Sequence, residues 1–307
     1  MRRTAEFDAF GPWIDEVHSP EDVPRLFRDR PVDLERAQIV LKVPRRISRR
    51  DANPDMDLYD HLVVVDDHGI EVRSREGSAY RRDRVEHERI AVVHSSVDLL
   101  DGRFHVLDTS SGASSRRLGF RYNSVSHELV EQLVRVLRSS VPGRPGAPGD
   151  HAAPDHPLQL GLHDLGDAEV ALVTEQRDIT EHERDIVPVA AHGRRTVARR
   201  GGALHGVLDV LRPVTLQGAV VCATPAEVHL VHRRTWFTTG RTPVSSVAHT
   251  VWLVPHVTRV TEHPSERYEG VEVVTVTSGQ AEVEVPFPEG TDSGTAFRRA
   301  LMAASPH

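Results

Sequence analysis

The chain has 307 residues, 27% of them charged, 38% hydrophobic and 5% aromatic, enough for one large domain or two of about 150 residues each. A formal net charge of −7 argues against a general nucleic-acid binder, which needs a cationic surplus, and a single cysteine rules out an intrachain disulfide. Lys42 is the only lysine, so a Schiff-base or phosphate-loop lysine would have to be Lys42, and no glycine-rich loop surrounds it. The first residues, Met1 to Asp8, lack the apolar stretch of a signal peptide. No window reaches the roughly 18 to 20 apolar residues of a spanning helix, so a cytoplasmic protein that does not cross a membrane is expected.

In chain order, residues 1–32 form an N-terminal segment in which Phe7, Phe10, Trp13, Ile14 and Val17, with a helix start at Ser19-Pro20-Glu21-Asp22, are expected to pack on the first domain. That domain spans 33–140. An apolar run at 39–43 reads as a strand and leads into Lys42-Val43-Pro44-Arg45-Arg46-Ile47-Ser48-Arg49-Arg50. An acidic run follows (Asp51, Asp55, Asp57, Asp60), then strand-like runs at 61–66, 69–73, 80–85, 89–97, 103–108 and 116–121. The stretch 109–115 reads as a hairpin tip. Ser126 stands as a cap for a helix over 127–138, where Leu129, Leu133 and Leu137 share a face. Pro and Gly concentrate in 141–157, the expected linker.

The second domain, 158–307, repeats the order. Glu183-Arg184 precedes an apolar run at 186–190, as Glu35-Arg36 precedes 39–43, and Arg194, Arg195, Arg199 and Arg200 follow where Arg45, Arg46, Arg49 and Arg50 stand in the first. Strands are predicted at 214–224, 227–232, 235–239, 243–247, 250–260, 270–277 and 281–287, and a helix at 291–304.

Six or seven short strands closed by one amphipathic helix, twice over, resembles the pleckstrin-homology-like fold, and the pair resembles tandem proteins of that kind of bacterial, actinobacterial type. The resemblance covers roughly 33–140 and 183–305. It implies a mainly β fold with C-terminal helices (α+β), made of two antiparallel sandwich or barrel domains in tandem. It also implies a non-enzymatic binding or adaptor function directed at a protein segment or an anionic headgroup. Members that bind anionic lipids use cations around their first two strands. Lys42, Arg45, Arg46, Arg49 and Arg50, with Arg194, Arg195, Arg199 and Arg200, are therefore the candidate anion-binding residues, and the Asp51–Asp60 run is placed to pair with them. The tryptophan often found in the closing helix is absent, since Trp13, Trp236 and Trp252 lie elsewhere.

Other chemistries find less support. A calcium loop beginning at Asp51 fails at Met56 and Leu62. The 19 histidines are dispersed, and His229 and His232, three apart on a strand, point to opposite faces. No metal, cofactor or catalytic residue is expected, and Cys222 reads as a core residue. Two alternatives remain: a hydrolytic site formed by 51–61 with His61, and a structural or assembly protein. The expected partner is another protein first, an anionic lipid headgroup second, and not nucleic acid.

Overall fold

A computed structural model describes residues 4–110, 117–141, 158–201, 212–240 and 244–303. The first half opens with α1 (Ala5–Ala9), capped by the Thr4 side chain, and the short β1 (Asp15–Glu16). β1 then joins β2 (Ala37–Pro44), β3 (Tyr59–Asp66), β4 (Gly69–Glu76) and β5 (Ala79–Glu86) in a five-stranded antiparallel sheet ordered as in the chain. A second meander follows, β6 (Ile90–Asp98), β7 (Asp101–Asp108) and β8 (Leu118–Asn123), before helix α2 (His127–Ser140). Residues of β2 to β8 alternate between faces, and Leu41, Val63, Ile70, Val72, Val93, Phe104 and Val106 meet Val130, Leu133, Val134 and Leu137 of α2 in one core. The opposite face of the five-stranded sheet is covered by the N-terminal segment through Phe10, Val17, Val23 and Phe27.

The second half starts with α3 (Val170–His182), then β9 (Val187–His192), β10 (Arg195–Val197), β11 (Val214–Leu216), β12 (Ala219–Ala223), β13 (Glu227–His232), β14 (Phe237–Thr239) and β15 (Val247–Leu253). It ends with a three-stranded sheet, β16 (Arg259–Pro264), β17 (Val271–Ser278) and β18 (Ala281–Pro288), and helix α4 (Asp292–Met302). Val221, Val228, Leu230 and Trp252 pack against Val274, Val276, Val285 and Phe287 of that sheet and Phe297 and Leu301 of α4.

The halves are joined by hydrogen-bonded strands. β6 pairs antiparallel with β15, from Val97 opposite Val247 to Val92 opposite Trp252, giving one seven-stranded sheet in the order β8-β7-β6-β15-β13-β12-β9. Each half lends this sheet one face as its own core wall, and the two halves use opposite faces. The side away from the second core is covered over β12, β13 and β15 by α3, whose Leu172 is buried with Val220, Cys222 and Val231.

The chain is mainly antiparallel β and ends in a helix, as its alternation predicts. Three elements differ. The strands expected at 243–247 and 250–260 are replaced by β15 and β16, because Pro255 begins a tight turn, Val254–His256, that ends the first of them. The run 214–224 divides at Gln217 and Gly218 into β11 and β12, which join different sheets. Helix α3 has no counterpart in the sequence expectation, since Val170-Ala171-Leu172-Val173-Thr174 carries the β-branched residues of a strand. Burial under one face of the shared sheet overrides that propensity. The expected linker, apart from Val141, and the tip of the β7–β8 hairpin after Ser110 lie outside the described residues. Among those described, no helix is long and apolar enough to cross a membrane.

Candidate functional site

Over β6, β7 and β8 the side of the shared sheet facing away from the first core is not roofed by a helix. A groove of about 840 Å³ lies there, bounded on its far side by Glu282, Val283, Glu284 and Val285 of β18. Strand alternation decides what reaches it. β7 turns Asp101, Arg103, His105 and Leu107 to this side and buries Phe104 and Val106 in the first core. Register then lines up rows across the sheet. Arg121, Arg103 and Ser96 form one row on β8, β7 and β6, while Gly119, His105, His94 and Thr250 form the next on β8, β7, β6 and β15. A Cβ at Gly119 would lie 2.7 Å from the His105 Cβ, so glycine leaves that imidazole its place.

At the first row four guanidiniums converge on one carboxylate. Asp101 accepts from Arg46 Nη1 at 2.8 Å, Arg121 Nη2 at 2.7 Å, Arg103 Nε at 3.2 Å and Arg234 Nη1 at 2.9 Å. Burial raises the Asp101 pKa, but Arg121, Arg103 and Arg46 outweigh it and hold the group well below the usual carboxylate range. Four cations against one anion leave three positive charges in excess. Arg234 is fixed by further bonds to Ser96 Oγ and the Ser96 carbonyl, whereas the side chains of Arg46, Arg103 and Arg121 remain about half exposed. Arg103 and Arg121 stand directly opposite one another on adjacent strands, a like-charge pair that Asp101 bridges with one carboxylate oxygen to each.

The second row is made of imidazoles. His232 Nδ1 lies 2.7 Å from the Arg233 carbonyl and therefore carries the proton, so His232 Nε2, 3.0 Å from Thr250 Oγ1, accepts the hydroxyl proton. Thr250 Oγ1 has no second proton to give. It accepts from His94 Nδ1 at 2.8 Å, and His94 Nε2 is left as a bare acceptor. His105 lies beside His94 with ring centroids 4.4 Å apart, and His232 stacks on Trp236 at 4.3 Å. Burial, then His105, His232, His249 and Arg117, push the His94 pKa well below its ordinary value; burial and Arg117 bring His105 down to about 4. The row is neutral at neutral pH. Trp252, 1% exposed, also lines the groove, and its Nε1–H has no partner.

The sequence-predicted cations are not gathered into one site. Lys42 is buried on β2 over the Tyr59 ring, 5.5 Å from its centroid, and Arg45 Nη1 donates to the Asp57 carbonyl. Arg49 donates to the Phe10 and Asp8 carbonyls and lies over the Phe7 ring, clamping the N-terminal segment. Arg194 approaches the buried Glu169 at 4.0 Å, and Arg199 and Arg200 donate to the Arg212 and Tyr268 carbonyls at 3.5 and 3.4 Å. Arg50 and Arg195 are exposed. Only Arg46 reaches the groove. The acidic run is largely engaged by arginines: Asp57 accepts from Arg25 Nε at 2.9 Å and Asp60 from Arg75 Nε at 2.8 Å, while Asp51 accepts from Ser48. Of 51–61 only Asp60 and His61 border the groove, and His61 Nδ1 bonds Ser74 Oγ.

Sequence reasoning did not find Asp101, Arg103, Arg121, Arg234, His94, His105, His232 or Thr250 as a group. The alternation Arg103-Phe104-His105-Val106 was the available signal for two of them. Among the described residues no three His, Cys, Asp or Glu side chains are grouped to hold a metal ion. No family model matches the chain, and no curated protein and no solved structure proved similar to it.

Proposed function

We propose that the chain is a non-enzymatic binding protein made of two pleckstrin-homology-like units fused through one sheet, and that it takes an anionic partner in the groove over β6–β8. The element order supports the first part: each half runs four main antiparallel strands, then a meander of three, then a helix. The observation that carries the second is the Asp101 centre, where four arginines share one carboxylate and three of them, Arg46, Arg103 and Arg121, stand half exposed at the rim of a concave surface. Guanidinium forks arranged this way suit phosphate or carboxylate oxygens.

The test is a calorimetric titration of the protein with pyrophosphate. Arg103→Glu combined with Arg121→Glu is expected to weaken binding more than tenfold, while Arg50→Glu combined with Arg195→Glu, on exposed positions of the two clusters singled out by sequence, leaves it unchanged. Equal affinity of the Arg103/Arg121 variant and the unaltered protein, or no pyrophosphate binding at all, would overturn the reading.

A further inference from the structure

We infer that the groove is a site for a small phosphate monoester with an apolar body, and that His94 makes it select phosphate over sulfate; this rests on the anion-binding reading above. Two features of the second row lead there. The chain of bonds from the Arg233 carbonyl through His232 and Thr250 fixes the His94 tautomer, so Nε2, the ring nitrogen farthest from the backbone, offers a lone pair and no proton. The same histidine stands one row, two residues along each strand, from Arg103, Arg121 and Ser96.

A fully ionised sulfate or carboxylate brings acceptors alone. Its oxygens suit Arg103 and Arg121, yet against His94 they meet another acceptor, and lone pairs brought together without a proton between them weaken binding. Protonating His94 instead is opposed by its surroundings: His105 on β7, His232 on β13, Thr250 on β15 with His249 behind it, and Arg117 ahead of β8. The acidic side chains bordering the groove, Glu282 and Glu284 on β18 and Asp60 on β3, come from other strands. A phosphate monoester loses its second proton only near pH 6. At pH 6 about half of it therefore still carries an O–H, and this form donates to His94 Nε2 while its remaining oxygens accept from the arginines. No proton has to be placed on the protein.

The groove is several times larger than a phosphate group. Its remaining walls include the half-buried Trp236 and Val283, and the unpartnered Trp252 N–H gives one further donor. These suit an apolar or aromatic body.

Phenyl phosphate and phenyl sulfate are the probes, titrated calorimetrically at pH 6.0. The unaltered protein is expected to bind phenyl phosphate at least tenfold more tightly. His94→Phe removes the acceptor and brings the ratio close to one. Thr250→Val, which leaves the arginines in place, releases the tautomer so that His94 can present Nε2–H; the ratio falls mainly because phenyl sulfate binds better. Equal affinities in the unaltered protein, or a ratio that survives Thr250→Val, overturn the selection mechanism and leave the anion site standing. Failure of both probes to bind overturns the anion site as well.

Discussion

Two polar clusters lie on opposite sides of the seven-stranded sheet, and they handle charge in different ways. On the side covered by α2 and α3, Arg138, 1% exposed, bonds Glu183 at 2.6 Å and Glu227 at 2.5 Å. His229 Nε2 is 3.3 Å from the same Glu227, its Nδ1 is 2.9 Å from His249 Nε2, and Glu131 accepts from Ser95 while lying 3.8 Å from His249. Each charge is answered within the protein. On the groove side, four arginines share Asp101 and two imidazoles face open space. Burial requires the first arrangement, because an unpaired charge in a closed interior is costly, whereas solvent access permits the second and leaves it able to accept a partner.

Acid should give the largest effect, and it acts on both clusters. Burial first, then Arg138, lowers the His229 pKa to about 4, and burial does the same for His232; His105 also lies near 4. Unfolded, each would titrate near 6.5, so below that pH the unfolded chain binds more protons than the folded one. Stability is therefore constant above about pH 7 and falls as pH drops from 6.5 to 4, by up to about 3 kcal/mol for a fully buried histidine. Urea unfolding at pH 7.5, 6 and 5 measures this, and a midpoint independent of pH would contradict it.

Arg138→Leu should come next. It strands Glu227 without its cation in the closed cluster and is expected to cost about 3–5 kcal/mol in urea unfolding, part of which Glu227→Gln recovers in the double variant. In the open cluster the corresponding change, Asp101→Asn, should cost only about 1 kcal/mol, because the released arginines hydrate. It should tighten pyrophosphate severalfold, where Glu227→Gln creates no anion binding. Should the two carboxylate removals prove equally destabilising, the contrast between closed and open clusters is wrong. The smallest effect on stability, within about 0.5 kcal/mol, is expected for Arg50→Glu with Arg195→Glu, at exposed positions of the two arginine runs.

Much of the fold was legible because it is local. Short runs of strand-forming residues between turns marked β3 to β8, alternation marked β17 and β18, and the leucine spacing of 129, 133 and 137 marked α2. The strand period also placed His229 and His232 on opposite faces, where they now serve the two different clusters. The candidate site was less legible. Clustering of arginine along the chain drew attention to 45–50 and 194–200, yet most of those side chains bond carbonyls or acids of other segments, Arg49 at Asp8 and Phe10 and Arg200 at Tyr268, and so serve to tie segments together.

What the sequence alone determined is therefore most of the strands, the closing helices, and the faces taken by residues in strands such as β13 and β18. These depend on neighbours within a few positions. The tertiary structure decided that β6 lies beside β15, placing His94 against Thr250, 156 residues away, and Asp101 against Arg234, 133 residues away. It also decided that α3 covers one side of the shared sheet while the other stays open over β6, β7 and β8. Pairing between distant strands depends on which surfaces remain to be buried once each half has formed, and a residue's period along its own strand carries no record of that.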